Sequence, residues 1–216
     1  MARRGVGSNQ YRMRSGSTII AVVPAHLMDQ IENALPRTRL DAAATEDAPP
    51  GMLTRLAQDV DSDVRARLAF NPRTPPEAWA LLADDPNLGV RTAVGMSLHT
   101  PPEVLVHLAQ DRHAKVREYV AGNPNTPAGT LRQLSDDRVV EVLWGVVSNS
   151  QVPVDVLQWA SGHHDATTRR SVASHPQCPP DTVVGLLADT DERVREAALA
   201  NPNLPPEYRM LGQVAQ

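Results

Sequence analysis

Proline recurs along this chain at a fixed interval of 26 residues, and this regularity constrains the fold more than any other feature. The prolines in register are Pro49, Pro75, Pro101, Pro127, Pro153, Pro179 and Pro205. No insertion or deletion interrupts the series, so each interval holds one unit of the same design. Such a chain is expected to fold as a row of units that contact their neighbours, rather than around one central core.

Apolar residues follow the same frame. In the first half of each unit they lie three residues apart, as at Leu53 and Leu56, and in the second half four apart, as at Val64 and Leu68. Both spacings place side chains on one face of a helix, and no segment alternates with the period of a strand. Aromatic residues make up only 3% of the chain, so Leu, Val and Ala must form the core. Each unit is therefore predicted to contain two short helices.

Helix boundaries are marked by Thr, Pro, Asp and Asn. The first helix opens with Thr-Pro-Pro-Glu at 74–77, where Thr is expected to cap the helix and Glu to bond back to the cap. Asp61 and Asn87 stand where the second helix needs an N-cap. Asn71, followed by Pro72, is expected to end that helix, since asparagine tolerates left-handed geometry and proline cannot continue a helix.

Helices of about ten residues are marginal alone in water, so each unit must bury its apolar stripes against the next. We therefore predict an all-α solenoid of six two-helix repeats over 49–204, with a partial capping repeat at 205–216. The repeats are 49–74, 75–100, 101–126, 127–152, 153–178 and 179–204. Residues 18–48, which include an amphipathic pattern at 24–35, are predicted to form a helical N-terminal cap or a degenerate repeat.

The pattern T-P-P-E-x-L-x-x-L-A-x-D, followed by V-R-x-x-V-A-x-N-P, resembles the leucine-rich repeat variant family. It is clearest at 71–126 and 178–204, and the resemblance covers about three quarters of the chain. It implies a right-handed, HEAT-like α-solenoid, and leaves open whether one helix per unit is 3₁₀ rather than α. The family's founding member carries an iron–sulfur cluster on a cysteine-rich N-terminal segment. Residues 1–48 here contain no cysteine, so no cofactor is expected.

Charge is distributed unevenly along the chain. The net charge is −4, but residues 1–40 carry +4 and the remainder −8. Residues 1–17 are predicted to be a flexible basic arm. Its arginines are Arg3, Arg4, Arg12 and Arg14. The apolar run at 19–23 is too short for a signal peptide or a membrane span, so we expect a cytoplasmic protein with no membrane partner.

Two charged columns run through the units. One consists of Arg65, Arg91, Arg117, Arg169 and Arg195, and the other of Asp59, Asp85, Asp111, Asp137 and Asp189. The arginines could grip phosphates or an acidic partner. Alternatively, the columns form a structural ladder of bidentate ion pairs that fixes the rotation between units. The ladder is favoured because the two columns are interrupted in adjacent units: Leu143 replaces an arginine, and His163 replaces an aspartate in the unit that follows.

Two neighbouring units depart from their siblings, each at one tryptophan. Trp144 and Trp159 share columns with mostly polar residues, which predicts solvent positions, and Leu143 replaces arginine beside them. Exposed aromatic side chains are typical anchors of protein interfaces. Leu143, Trp144 and Trp159 therefore form a hypothetical partner-binding patch. The alternatives are local packing, either of the two rings on each other or on the turn at 148–150, and self-association.

The sequence lacks the motifs of catalysis. It contains no G-x-S-x-G elbow, no P-loop and no G-x-G-x-x-G turn after a strand. His163, His164, His175 and Cys178 are the only cluster of metal-type ligands. His163 and His175 fall at opposite ends of a second helix, so the ligands are not expected to converge and no metal is predicted. With one cysteine, no internal disulfide can form.

The leading hypothesis is a non-catalytic scaffold that binds a protein partner along the solenoid surface, centred on 139–159. The alternative is a nucleic-acid-binding repeat protein, in which the basic arm follows phosphates and the arginine column lies against the backbone. A third use of the arm is as a short linear signal at 9–12, read by another protein. The oligomeric state stays open.

Overall fold

Helices supply all the regular structure of residues 35–209, the part of the chain that this computed structural model describes. That part holds fourteen α-helices and no strand. They are α1 (Pro36–Ala44), α2 (Pro50–Leu56), α3 (Ser62–Leu68), α4 (Pro76–Ala83), α5 (Leu88–Met96), α6 (Pro102–Leu108), α7 (Ala114–Gly122), α8 (Ala128–Ser135), α9 (Val140–Ser148), α10 (Val154–Ala160), α11 (Ala166–Ser174), α12 (Pro180–Leu186), α13 (Glu192–Ala200) and α14 (Pro206–Arg209). The predicted arm at 1–17 and the amphipathic pattern at 24–35, except for its last residue, Leu35, lie outside the described residues.

Two helices fall within each predicted 26-residue window. The first has seven or eight residues and the second seven or nine. Both are α-helices, which answers the question left open by the resemblance. Bonds of the 3₁₀ type occur at helix ends, as between Met52 N–H and the Pro49 carbonyl at 2.9 Å, and in the turns between units, as between Thr74 N–H and the Asn71 carbonyl at 3.1 Å.

Neighbouring units stack mainly through their second helices. Each of α1, α3, α5, α7, α9, α11 and α13 packs against the next member of that series. The first helices pack against the second helix of their own unit and, more lightly, against one another. The predicted apolar columns are the core, with Leu53, Val64, Leu68 and Val90 fully buried. The prediction of an all-α repeat solenoid is confirmed.

The close approach of α7 and α9 depends on Gly145. A Cβ at this position of α9 would lie 2.7 Å from the Glu118 carbonyl oxygen and 2.9 Å from the Ala121 Cβ, both on α7. Contacts this short are forbidden between non-bonded atoms, so only a residue without a side chain fits. Glycine therefore sets the spacing between α7 and α9.

The predicted caps of the second helices are confirmed, whereas those of the first helices are wrong. Asp61 and Asn87 accept hydrogen bonds from main-chain N–H groups two residues on. Thr74, by contrast, lies one residue before the N-cap, Pro75, and caps nothing in α4. Its hydroxyl donates to the Leu68 carbonyl at 2.8 Å instead. The threonine thus adds a second hydrogen bond to a carbonyl at the end of the preceding helix, which also accepts from Asn71 N–H at 2.9 Å.

An asparagine follows four of the six second helices, and it also acts differently from the prediction. Asn123 is extended, with φ −75° and ψ 125°, and does not enter the left-handed region. Its amide nitrogen donates to the carbonyls of Gly95 and Ser97 in the preceding unit, both at 2.8 Å. The same bridge is made by Asn71, Asn149 and Asn201. In these four units the asparagine therefore ties the unit to the one before it.

Candidate functional site

Regular ion pairs connect consecutive units along one side of the solenoid. The arginines of the predicted column lie on second helices, and in all of them except Arg195 the Nε donates to the aspartate of the next unit, twenty residues on. The pairs, which we call rungs, are Arg39–Asp59 (2.7 Å), Arg65–Asp85 (2.6 Å), Arg91–Asp111 (2.6 Å), Arg117–Asp137 (2.6 Å) and Arg169–Asp189 (2.7 Å). In every rung Nη2 donates to the second carboxylate oxygen, so the contact is bidentate.

Each rung also fixes the turn between the two helices of a unit. Arg91 Nη1 donates to the Asp85 carbonyl at 2.7 Å, and Asp111 Oδ1 accepts from His113 N–H at 2.8 Å. The side chains of Arg91 and Asp111 are each only 6% exposed. A rung therefore holds two units and two turns in one geometry.

The charges within a rung stabilise each other. The Arg117 guanidinium holds the pKa of Asp137 below its usual value, and Arg169 does the same for Asp189. For Asp111, burial alone would raise the pKa, but hydrogen bonds from Arg91 and from a main-chain N–H lower it overall. Since these guanidiniums are already engaged, we interpret the columns as structural rungs rather than as free anion-binding groups.

The last arginine of the column, Arg195, differs from the others. Among the described residues it donates only to the carbonyls of Asp189 and Thr190, at 2.8 and 3.1 Å. The first rung, conversely, includes Arg39, which the sequence analysis counted only within the positive charge of residues 1–40. Its position 26 residues before Arg65 was the signal that identifies it.

The series of rungs is interrupted once, where Leu143 replaces arginine and His163 replaces aspartate. Leu143 is only 3% exposed, so its predicted place in a surface patch is wrong. The arginine side chains of this column are also largely buried in the other units, so a side chain at this position faces the neighbouring unit and not the solvent. His163 takes over one role of the aspartate, since its Nδ1 accepts from Asp165 N–H at 3.2 Å. Burial and the neighbouring His164 lower the pKa of His163, so the ring is neutral at pH 7.

Trp144 is half-buried, not a free solvent position. Its indole N–H donates to Asp165 Oδ2 at 3.1 Å, and Asp165 is also the N-cap of α11. Trp144 on α9 thus bonds to the start of the corresponding helix in the next unit. This geometry gives Trp144 a local packing role.

Trp159 is the exposed member of the predicted patch, with 51% of its surface accessible. Its ring centroid lies 6.0 Å from that of His163, and the His163 and His164 rings lie 4.2 Å apart. No ring contact joins Trp159 to Trp144 in the described residues, so the two tryptophans do not form a pair.

A groove opens where the rung is interrupted. It has a volume of ≈ 660 Å³, and its lining includes Asp136, Arg138, Glu141, Leu143, Trp159 and His163. We call it the gap groove. The groove in the same register two units earlier, which contains the Arg91–Asp111 rung, measures ≈ 350 Å³. Replacing an ion pair by leucine and histidine thus leaves a wider recess beside an exposed indole.

The predicted metal-type residues do not converge. Within 35–209 no group of three His, Cys, Asp or Glu side chains could hold an ion. His175 is buried in the asparagine column, where its Nε2 lies 3.3 Å from the Asn149 carbonyl oxygen. Cys178 is fully buried, and burial raises the pKa of its thiol to about 11. Both side chains fill structural positions.

Two further sequence predictions concern the chain ends and membranes. The arginines of the basic arm, Arg3, Arg4, Arg12 and Arg14, lie outside the described residues. Between residues 35 and 209 no helix is long and apolar enough to cross a bilayer.

Similarity to known proteins was found at two levels. Residues 114–139 match the family model described as leucine rich repeat variant. A solved structure, described as a leucine-rich repeat variant with a novel repetitive protein structural motif, is 27% identical, with 90% of this chain and 88% of that chain covered and a TM-score of 0.57. The structure of the Escherichia coli protein YIBA is 18% identical, with coverage of 88% and 75% and a TM-score of 0.48. A search of curated proteins gives no match. The predicted resemblance is thus confirmed: this chain is a helical repeat solenoid that is similar in fold to the solved leucine-rich repeat variant, and residues 114–139 match that family's model.

Proposed function

We propose that this protein is a non-catalytic scaffold that binds a protein partner on the side of the solenoid, around Trp159 and the gap groove. The observation that carries the proposal is the half-exposed indole of Trp159 beside the only interrupted rung of the described units. Structure alone asks for the same residue in every unit. A departure that exposes an aromatic ring and removes an ion pair therefore points to a function.

The residues that share the column of Trp159 support this proposal. They are Arg55, Leu81, His107, Gln133 and Gly185. None of them is aromatic except for the imidazole of His107, so the repeat fold does not require an indole here. An aromatic side chain of this size buries roughly 150–250 Å² in an interface, and tryptophan is over-represented among the residues that dominate binding energy.

The chemistry of the described residues favours binding over catalysis. The aspartates of the column are held in rungs, and others such as Asp61 and Asp165 serve as helix caps. The Cys178 thiol is buried with a raised pKa, which disfavours the thiolate that a nucleophile needs. A repeat array instead offers a long side surface, as expected of a scaffold.

The proposal is tested by capture of partners on wild-type protein and on a Trp159→Gln variant, which installs the residue of a sibling unit. Leu81→Gln is the matched control, because Leu81 lies in the same column and is 40% exposed. We expect a specific set of bound proteins, measured by quantitative mass spectrometry, to be lost with Trp159→Gln and kept with Leu81→Gln. Unchanged capture by a folded Trp159→Gln variant would contradict the proposal.

Nucleic-acid binding remains an alternative that depends on the basic arm at 1–17. The arginine column contributes little to it, because those guanidiniums already pair with aspartates. The discriminating measurement is the affinity for double-stranded DNA as a function of salt. A steep fall of affinity with salt would support this alternative, whereas absence of binding at low ionic strength would remove it.

A further inference from the structure

We propose that the gap groove binds the side chain of an arginine presented by a partner protein, so that the partner supplies the guanidinium that this unit lacks. The inference rests on the proposed scaffold function and names the chemistry that the scaffold recognises. Three features of the groove carry it: its main-chain carbonyls, its indole wall and its charge.

The carbonyls are placed as in a regular rung. Arg91 Nη1 donates to the carbonyls of Asp85 and Pro86, at 2.7 and 3.3 Å. The carbonyls in the same register at the gap belong to Asp137 and Arg138, and they accept no hydrogen bond from the described residues because leucine stands at the arginine position. Two adjacent acceptors are therefore available where the other units hold a guanidinium.

The wall of the groove suits a flat cation. His107 occupies the wall of the regular groove, and Trp159 takes its place at the gap. An indole is the best aromatic partner for a cation, and the planar guanidinium can stack on it while donating in its own plane. The larger volume at the gap, ≈ 660 Å³ against ≈ 350 Å³, leaves room for a side chain that enters from outside.

The charge of the groove favours a cation. Two acidic side chains, Asp136 and Glu141, are exposed on its lining. Among the described residues that line the groove, Arg138 is the only Lys or Arg. His163 is neutral at pH 7 because burial lowers its pKa, so it does not oppose a guanidinium. Arginine is favoured over lysine because the paired carbonyls and the flat indole match a planar donor rather than a point charge.

The probe is a short acetylated Gly-Ser-Arg-Ser-Gly amide, titrated into ¹⁵N-labelled full-length protein. A matched peptide carries citrulline, which has the same shape without the charge. The chain has three tryptophans, so the indole N–H region of the NMR spectrum holds three signals, and Trp159→Gln assigns one of them. We expect the arginine peptide to shift the Trp159 signal in a saturable way, with the citrulline peptide at least about tenfold weaker.

The decisive variant is Leu143→Arg combined with His163→Asp, which rebuilds a regular rung inside the groove. It should abolish the shift at Trp159 while Leu81→Gln leaves the shift unchanged. An equal response to citrulline, or binding by the rebuilt variant as strong as that of wild type, would overturn the proposal.

One competing occupant is the protein's own basic arm. Replacing its four arginines, Arg3, Arg4, Arg12 and Arg14, with glutamine tests this. If that change alone moves the Trp159 signal and strengthens peptide binding, the groove holds the arm and the assignment to a partner is wrong. Failure of the peptide to bind while Trp159→Gln still abolishes partner capture would overturn only the arginine assignment and leave the scaffold function intact.

Discussion

The Arg91–Asp111 rung allows a quantitative test of how units are coupled. Replacing Asp111 with alanine removes both carboxylate bonds to Arg91 and the acceptor for His113 N–H. The Arg91 guanidinium then stays in a site where it is only 6% exposed. Breaking a buried pair by removing one partner costs about 3–5 kcal/mol, and since one edge of this rung borders a solvent-filled groove we expect the lower end, about 3 kcal/mol.

The gap in the series supplies the matched double variant. Arg91→Leu combined with Asp111→His copies the natural sequence at Leu143 and His163. The double variant leaves no unpaired buried charge. Its loss of stability should therefore be smaller than the sum of the losses for Arg91→Leu alone and Asp111→His alone. We expect a coupling energy of about 1.5–3 kcal/mol, as found for residues in one charged hydrogen-bond network.

Urea unfolding at 0.15 M salt measures these free energies, with circular dichroism and tryptophan fluorescence as two probes. Coincidence of the two curves shows that the units unfold together, as the free energies require. The control is Asp155→Ala, because Asp155 and its partner Arg132 form an ion pair of which both side chains are more than half exposed. That change should cost far less. Additive effects at the rung, within about 0.5 kcal/mol, would refute the coupling of units through rungs.

Three further predictions follow from the packing of the second helices. Asn123→Ala removes two buried bonds to the preceding unit and should cost about 2–4 kcal/mol in urea unfolding, whereas Asn125→Ala, at a more exposed position, should cost less. Gly145→Ala forces a Cβ against the Glu118 carbonyl and should cost about 1–3 kcal/mol; an unchanged midpoint would contradict the close approach. Burial lowers the pKa of His175 in the folded state. Near and below the unfolded pKa of about 6.5 the unfolded state therefore binds more protons, and the free energy of unfolding decreases as the pH is lowered. His175→Asn, the residue of sibling units, should therefore reduce the loss of stability between about pH 7 and pH 5, and an identical pH dependence would show that His175 does not cause it.

The fold could be predicted because every unit repeats the same spacing. The apolar columns, such as that of Val64 and Leu68, follow directly from a 26-residue frame, and short helices can bury them only by stacking. Pairing of the arginine column with the aspartate column could also be inferred, since Leu143 replaces the arginine of one unit and His163 replaces the aspartate of the next. The sequence separation of twenty residues between each arginine and its aspartate partner could not be predicted, because it depends on how far the next unit is rotated and displaced.

Two local predictions failed for a shared reason. Thr74 and Asn71 were assigned to their own helix ends by residue preference, yet Thr74 donates to the Leu68 carbonyl of the preceding helix and Asn71 to carbonyls of the preceding unit. Such partners are set by tertiary contacts, which single-sequence preferences do not contain. Leu143 failed differently: a polar column was taken as a solvent column, although the arginine stems in that column are buried.

The candidate site was predicted in part. Trp159 is exposed as its column indicated, while Trp144 donates to Asp165, a contact that requires the geometry of the next unit. The gap groove could not be foreseen, because its width is visible only by comparison with the regular groove at Arg91. An odd residue in a repeat marks where to look, but not which surface it forms.

The central claim is that the rung at Leu143 and His163 has been given up for function and not because the fold requires it. The most direct measurement is the free energy of unfolding of the Leu143→Arg, His163→Asp variant. If the claim holds, the rebuilt rung packs as in the sibling units, and stability equals or exceeds that of wild type within about 1 kcal/mol. A loss of more than about 2 kcal/mol would contradict the claim, because it would mean that leucine and histidine are needed to hold these units together.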